Sequence, residues 1–233
     1  MKVGVVVFPG SNCDQDMIDA LSMIDGVKPF KLWHKDHDLQ NAELVVLPGG
    51  FSYGDYLRSG AIARFSPIMK EVVDHANKGG PLFGVCNGFQ ILCEAHLVPG
   101  ALLHNTSHKF ICKNVFITPE HNQTMITQFT QGKGQALKIP IAHGEGRYFA
   151  NEDELKRIED NGQVIFRYCD EHGQVVDAAN PNGSLKNIAG VCNAQKNVFG
   201  MMPHPERAVD PILGNTDGLN ILKGLIGKVL ELA

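Results

Sequence analysis

The chain has 233 residues, with 21 lysines and arginines against 25 aspartates and glutamates, a net charge of −4 and 43% hydrophobic residues. That length suits one α/β domain over residues 1–233 with a sizeable core, and the mildly acidic balance argues against an electrostatic nucleic-acid binder. No run approaches the ~18 apolar residues of a membrane span, and the six cysteines (13, 86, 93, 112, 169 and 192) form no C-x-x-C pair, which points to a reducing, cytoplasmic setting without disulfides or a structural metal site.

In chain order, "KVGVVVF" (2–8) is a short apolar run that stops at Pro9-Gly10, too brief for a signal segment, and predicts a buried strand. "DQDMIDALSMI" (14–24) has helical spacing, and "AELVVLP" (42–48) predicts the second strand. "SPIMKEVVDHANKGG" (66–80) predicts a helix with Ser66 as its cap, Pro67 at its first position and a glycine pair at its end. "LFGVC" (82–86) is the third strand. Strand and helix in alternation imply a doubly wound sheet with its crevice at the carboxyl ends of the strands.

The second half reads differently. "NVFITP" (114–119), "GQALKIPIA" (134–142), "QVIFRY" (163–168), "NIAGVCN" (187–193) and "NVFGMMP" (197–203) are strand-like runs split by turn chemistry such as "NPNGS" at 180–184. They predict antiparallel additions to the core sheet. "TDGLNILKGLIGKVLELA" (216–233) predicts a capped, amphipathic closing helix.

The chemistry concentrates at Gly84-Val85-Cys86-Asn87-Gly88. A cysteine at the apex of a strand–turn–helix, with a glycine two residues to either side, matches a nucleophile elbow, and a helix N-terminus favours the thiolate. A cysteine before a helix can equally be a buried packing residue, so the elbow needs company. Proline-flanked His204 and Glu206, two apart in "MMPHPER", supply a base and the carboxylate to orient it. Gly49-Gly50, directly after the second strand, can turn amide N–H groups toward an oxyanion, with the Asn87 N–H as second donor. His143 in "AHGEGRYF" is a rival base, with Glu145 and Arg147 lining the pocket or forming a docking face, and Cys13 is a rival nucleophile without the flanking glycines. Cys93 reads as a packing residue on the elbow helix.

"GVCNGFQ" and the distal "HPE" resemble the class I (triad) glutamine amidotransferases. "FPGSNCDQD", "PGGFSYGDYLRSGAIAR", "PIAHGEGRY" and "MPHPER" are similar, more narrowly, to the small glutaminase subunits that serve the formylglycinamide ribonucleotide synthetase of purine biosynthesis. The resemblance implies a three-layer α/β sandwich around a mostly parallel sheet. It implies Cys86 as nucleophile, His204 as base, Glu206 as its orienter, Gly50 and Asn87 as oxyanion donors, and Gln90 and Gly49 at the substrate. The implied reaction hydrolyses glutamine to glutamate and ammonia. The implied partners are an ATP- and Mg-using synthetase subunit and a small accessory subunit; no phosphate-binding glycine loop appears in this chain, and no cofactor, metal, nucleic acid or membrane is expected. Two alternatives stay open: an amidotransferase serving another synthetase, and a cysteine peptidase or deglycase-like relative.

Overall fold

The structure, a computed structural model, describes residues 1–232, and side-chain surroundings for residues 1–227. The elements in order are β1 (Lys2–Val7), α1 (Asp14–Ser22), β2 (Lys28–Trp33), β3 (Leu44–Leu47), α2 (Ile68–Asn77), β4 (Leu82–Val85), α3 (Asn87–Glu94), β5 (Ala101–Leu103), β6 (Ile111–Pro119), β7 (Leu137–His143), β8 (Arg147–Phe149), α4 (Glu152–Asp160), β9 (Val164–Cys169), β10 (Ile188–Cys192), β11 (Val198–Met201) and α5 (Asp217–Leu232). Nine strands form one central sheet in the order β2-β1-β3-β4-β11-β10-β9-β6-β7, and β5 pairs with β8 in a small separate ribbon. No described helix is long and apolar enough to cross a membrane.

The sheet is parallel from β2 through β11 and antiparallel from β11 to β7. The mixed α/β architecture follows the expectation, with one consequential difference. "NVFGMMP", expected among the antiparallel additions, becomes β11, which lies parallel to β4 with Met201 opposite Val85. Its four residues are wholly buried, as β3 and β4 are, because helices cover both faces of a central parallel strand. That orientation brings the segments after β3, β4 and β11 to one edge of the sheet.

Four elements went unread in the sequence. β2 carries Pro29 and alternates poorly, both permissible on an edge strand, where one side of the backbone needs no partner. α4 buries only Ile158, so it has no apolar stripe to detect; its signal is Asn151, whose side chain accepts the Glu154 N–H, ahead of an acidic first turn. The three-residue β5 and β8 are too short for a period. The helix expected to begin at Ser66 starts at Ile68, and Ser66 makes no cap hydrogen bond: its hydroxyl is held by Tyr53 Oη at 2.8 Å.

Candidate active site

Cys86 leaves β4 at φ 51° and ψ −106°, a left-handed conformation that costs a non-glycine residue about 1–3 kcal/mol and survives only where its surroundings enforce it. They do so from both sides. The Cys86 N–H donates to Met201 O at the end of β11 (2.8 Å), and its carbonyl accepts the Gln90 N–H inside α3 (3.0 Å). The flanking glycines have steric reasons. A Cβ on Gly84 would sit 2.8 Å from the Gly88 backbone, and one on Gly88 would land on the Leu47 carbonyl oxygen of β3. The thiol is 5% exposed at the N-terminus of α3, and Ala142 O of β7 lies 3.7 Å from Sγ.

His204 arrives from the neighbouring parallel strand, three residues past β11, its N–H donating to Pro140 O at 2.9 Å. Its imidazole is buried, and Nδ1 donates to Glu206 Oε1 at 2.6 Å. Burial alone would discharge this ring; Glu206, followed by Cys86, outweighs that and raises its pKa well above the usual histidine range. Among the described residues Nε2 has no nitrogen or oxygen partner, and Cys86 is the group that bears on the ring besides Glu206. Cys86 and the His204–Glu206 pair are thus brought together by two adjacent strand ends, a relation that a sequence separation of more than a hundred residues conceals.

The Gly49-Gly50 turn follows β3 on the other side of β4. Gly50 has φ +139°, bridges to Ser11 and lines a cavity of about 240 Å³ that also holds Cys86. Gly49 does not line it. A Cβ there would meet His204 Cε1 at 2.7 Å and Cys13 Sγ at 3.2 Å, so this glycine clears room for the imidazole, where the sequence reading had placed it at the substrate. Asn87 is buried; its side chain accepts the Ser52 N–H (3.1 Å) and donates to Gln90 Oε1 (2.9 Å) and Asp55 Oδ1 (3.3 Å). As the first residue of α3, its own N–H has no intrahelical acceptor and stays available to a ligand. Gln90 lines the cavity, but its amide is already engaged, Nε2 donating to Glu145 O at 2.7 Å. It braces Asn87 and the 143–146 loop against one another.

Two carboxylates share the cavity: Glu145, which the sequence offered as a pocket or docking residue, and Asp55, to which it gave no role. Asp55, at φ 54° in the "GGFSYGDYLR" loop, is raised to about 6, first by burial and also by the nearby Glu145 charge, against hydrogen bonds from Ser59 and Asn87. Lys109 stands on the same cavity's wall. The signal for Asp55 was its place in that loop, whose backbone turns left-handed at Tyr53, Gly54, Asp55 and Leu57.

The rivals separate cleanly. Cys13 is buried, its thiol pushed up to about 12 chiefly by burial despite the Arg207 Nη2–H that it accepts at 3.1 Å, so it is a poor source of thiolate. His143 has no carboxylate on Nδ1: its partner there is Asn105 Oδ1 at 3.1 Å, and burial followed by His204 lowers its pKa to about 4. Arg147 turns away to His104 O, whereas Glu145 faces the cavity. Cys93 is buried on α3, as a packing residue should be. Cys13, His204 and Glu206 bring donor atoms within 4.8 Å of one another. Two of them are spent on the His204–Glu206 hydrogen bond, and the third lies against the Arg207 cation, a setting hostile to a metal ion.

A family model described as a CobB/CobQ-like glutamine amidotransferase domain matches residues 1–218. Phosphoribosylformylglycinamidine synthase subunit PurQ of Chlorobium luteolum is 55% identical over 98% of this chain and 99% of its own, and the same subunit of Trichormus variabilis is 55% identical over the full length of both. Among solved structures, a chain of the PurLQS complex from Thermotoga maritima superposes with a TM-score of 0.85 at 43% identity, covering 98% of each chain.

Proposed function

The chain belongs to the CobB/CobQ-like glutamine amidotransferase family, and on that premise we propose how its residues divide the work. It is the glutaminase subunit of phosphoribosylformylglycinamidine synthase, a glutamine amidotransferase that supplies ammonia to purine biosynthesis in a complex with the synthetase PurL and the accessory subunit PurS. The observation that carries the residue assignment is the meeting of Cys86 at the end of β4 with the His204–Glu206 pair beyond β11.

In this reading the Cys86 sulfur attacks the side-chain carbonyl carbon of glutamine, forming an S–C bond. The N–H groups of Gly50 and Asn87 receive the charge that develops on oxygen. Collapse breaks the C–N bond while the His204 imidazolium gives its Nε2 proton to the departing nitrogen. His204, now neutral, takes a proton from water, which attacks the thioester and releases glutamate. Glu206 holds the ring in the required orientation throughout and favours its charged form.

ATP and Mg belong to the partner synthetase in this scheme, and this chain needs no cofactor of its own. Six free cysteines, one of them the nucleophile, support a reducing, cytoplasmic location. The continuous sheet from β2 to β7 supports a single amidotransferase domain over 1–233.

The test of the assignment is a glutamine-mimicking diazoketone, followed by peptide mass mapping. Label is expected on Cys86 alone; label on Cys13 would overturn the assignment of the nucleophile.

Free glutamine is a zwitterion, and Asp55 with Glu145 offers its α-ammonium the opposite charge. Asp55→Asn is expected to raise KM for glutamine by about tenfold, as losing one charge-assisted hydrogen bond does, with kcat within about threefold. Asp55 is ionised above its pKa of about 6, so KM should also climb as pH falls through that value. A KM that stays level from pH 8 to pH 5 rules this out.

A further inference from the structure

The Ala142-His143-Gly144-Glu145 segment contributes His143 to the wall of the cavity that holds Cys86, where His104 and His108 also stand, and the mechanism above leaves it idle. His143 is 3% exposed at the end of β7, directly after the residue whose carbonyl lies against the Cys86 sulfur. Its protonation state can be worked out from its neighbours. Asn105 is fully buried, and its Nδ2 donates to two carbonyls, Lys109 O and His143 O, both at 2.9 Å. Those bonds use both amide protons and fix which end of the side chain is oxygen. Oδ1 accepts the Gly146 N–H at 3.1 Å and faces His143 Nδ1 at 3.1 Å. An amide oxygen can only accept, so the proton of a neutral His143 sits on Nδ1.

Nε2 therefore presents a bare lone pair. It is buried and has no hydrogen-bond partner among the described residues, and such an acceptor calls for a donor. The ring lies beneath Gly146, where any Cβ would collide with it, so Nε2 cannot swing away to find one among the protein groups. Burial, followed by the charge of His204, lowers its pKa to about 4, which favours the neutral ring near pH 7. His204 and His143 thus have opposite character: Glu206 favours the charged form of His204, whereas burial and the nearby His204 disfavour charge on His143.

We propose that His143 Nε2 accepts an N–H of the substrate carboxamide and then of the departing ammonia, making His143 a catalytic residue specific to nitrogen leaving groups. This rests on the reading that Cys86 attacks glutamine in this cavity. During C–N cleavage the nitrogen pyramidalises and must turn its lone pair toward the His204 proton, and a fixed acceptor on one of its N–H bonds holds that orientation. His143 moves no proton itself. With its proton held on Nδ1 by Asn105, the ring has none to give from Nε2, so it leaves the product as ammonia, the nucleophilic form that the synthetase can use, and does not convert it to ammonium.

The experiment compares two substrates of the assembled complex: L-glutamine, and the γ-methyl ester of L-glutamate, whose leaving group carries no N–H when it departs from carbon. His143→Ala is expected to lower kcat on glutamine about ten- to hundredfold, the kinetic worth of one hydrogen bond, with ester turnover within about twofold. His143→Gln, which restores an acceptor at similar reach, should recover part of the amide activity. An equal loss on both substrates, or no loss on either, overturns the proposal. Diazoketone labelling of Cys86 in the same variants distinguishes its failure from that of the underlying reading: if wild-type Cys86 is not labelled, the reading of the site itself falls. As a measurement needing no variant, nitrogen-15 NMR of His143 should report a neutral ring protonated on Nδ1 at pH 7, and an Nε2-protonated or charged ring overturns the proposal directly.

Discussion

A complex carrying Cys86→Ala is expected to make the amidine from ammonium salts at close to the wild-type rate, and from glutamine at about one part in 10⁴ or less. The split follows from where the chain's work ends. External ammonia enters the synthetase step without needing a thioester, whereas glutamine has no other route to release its nitrogen. Alanine keeps the elbow's shape, so docking of the subunit should persist and the loss should appear in kcat. A comparison with Cys86→Gly separates chemistry from folding. Both variants lack the sulfur, but only glycine is at ease at φ 51°, so the glycine variant should be more stable than the alanine one by about 1–2 kcal/mol, measured by denaturant titration. Equal stabilities would mean that the backbone at Cys86 stores no strain. Appreciable glutamine-dependent synthesis in Cys86→Ala would end the assignment of the nucleophile.

What could be read from the sequence was local. The elbow is legible because a strand, a glycine-flanked cysteine and a helix are consecutive, and each glycine has a reason within a few residues or one strand away. His204 and Glu206 are legible as a pair for the same cause. Their proximity to Cys86 was not, because it depends on β11 lying parallel to β4, and four buried residues carry no mark of strand direction. Gly49 illustrates the limit from another side: two consecutive glycines look alike in sequence, yet one opens toward the cavity and the other makes way for an imidazole. Gln90 was placed at the substrate by the family resemblance alone, and the hydrogen-bond partners show that its amide is already committed. Asp55 and His143 have the most tertiary roles of all. The chemistry of each is set by groups far away in the chain, Glu145 and Asn87 for one, Asn105 and His204 for the other.

Gly88→Ala is the substitution expected to damage the fold most for a single added methyl group. The new Cβ would fall on the Leu47 carbonyl oxygen, at the last residue of β3, whose strand pairs with β4 there through Leu47 and Gly84. Neither side can yield easily. The Leu47 backbone is fixed by the central sheet, and α3 is anchored at its start by the Cys86 hydrogen bonds to Met201 and Gln90. Overpacking of this kind costs about 3 kcal/mol or more where backbone faces backbone, and for a chain of this size each kcal/mol lowers Tm by about 2–4 °C. Gly79→Ala provides the contrast. Unlike Gly88, it sits at positive φ (+88°), but among the described residues no atom lies within 4 Å of its Cβ, so it should lose only the left-handed penalty of about 1–2 kcal/mol. Gly88 lies inside α3 and carries no such penalty, so its loss measures the contact itself. On the proposed mechanism that contact also bears on function: the carbonyl that the methyl would strike lies just before the Gly49-Gly50 turn, and the helix it would displace begins with the Asn87 N–H. Whatever fraction of Gly88→Ala folds should turn over glutamine about a hundredfold more slowly, because a shift of about 1 Å between two such donors is enough to lose alignment with the oxyanion. A variant that melts within about 2 °C of wild type and keeps its kcat would show that α3 and β3 are not in the contact on which this alignment depends.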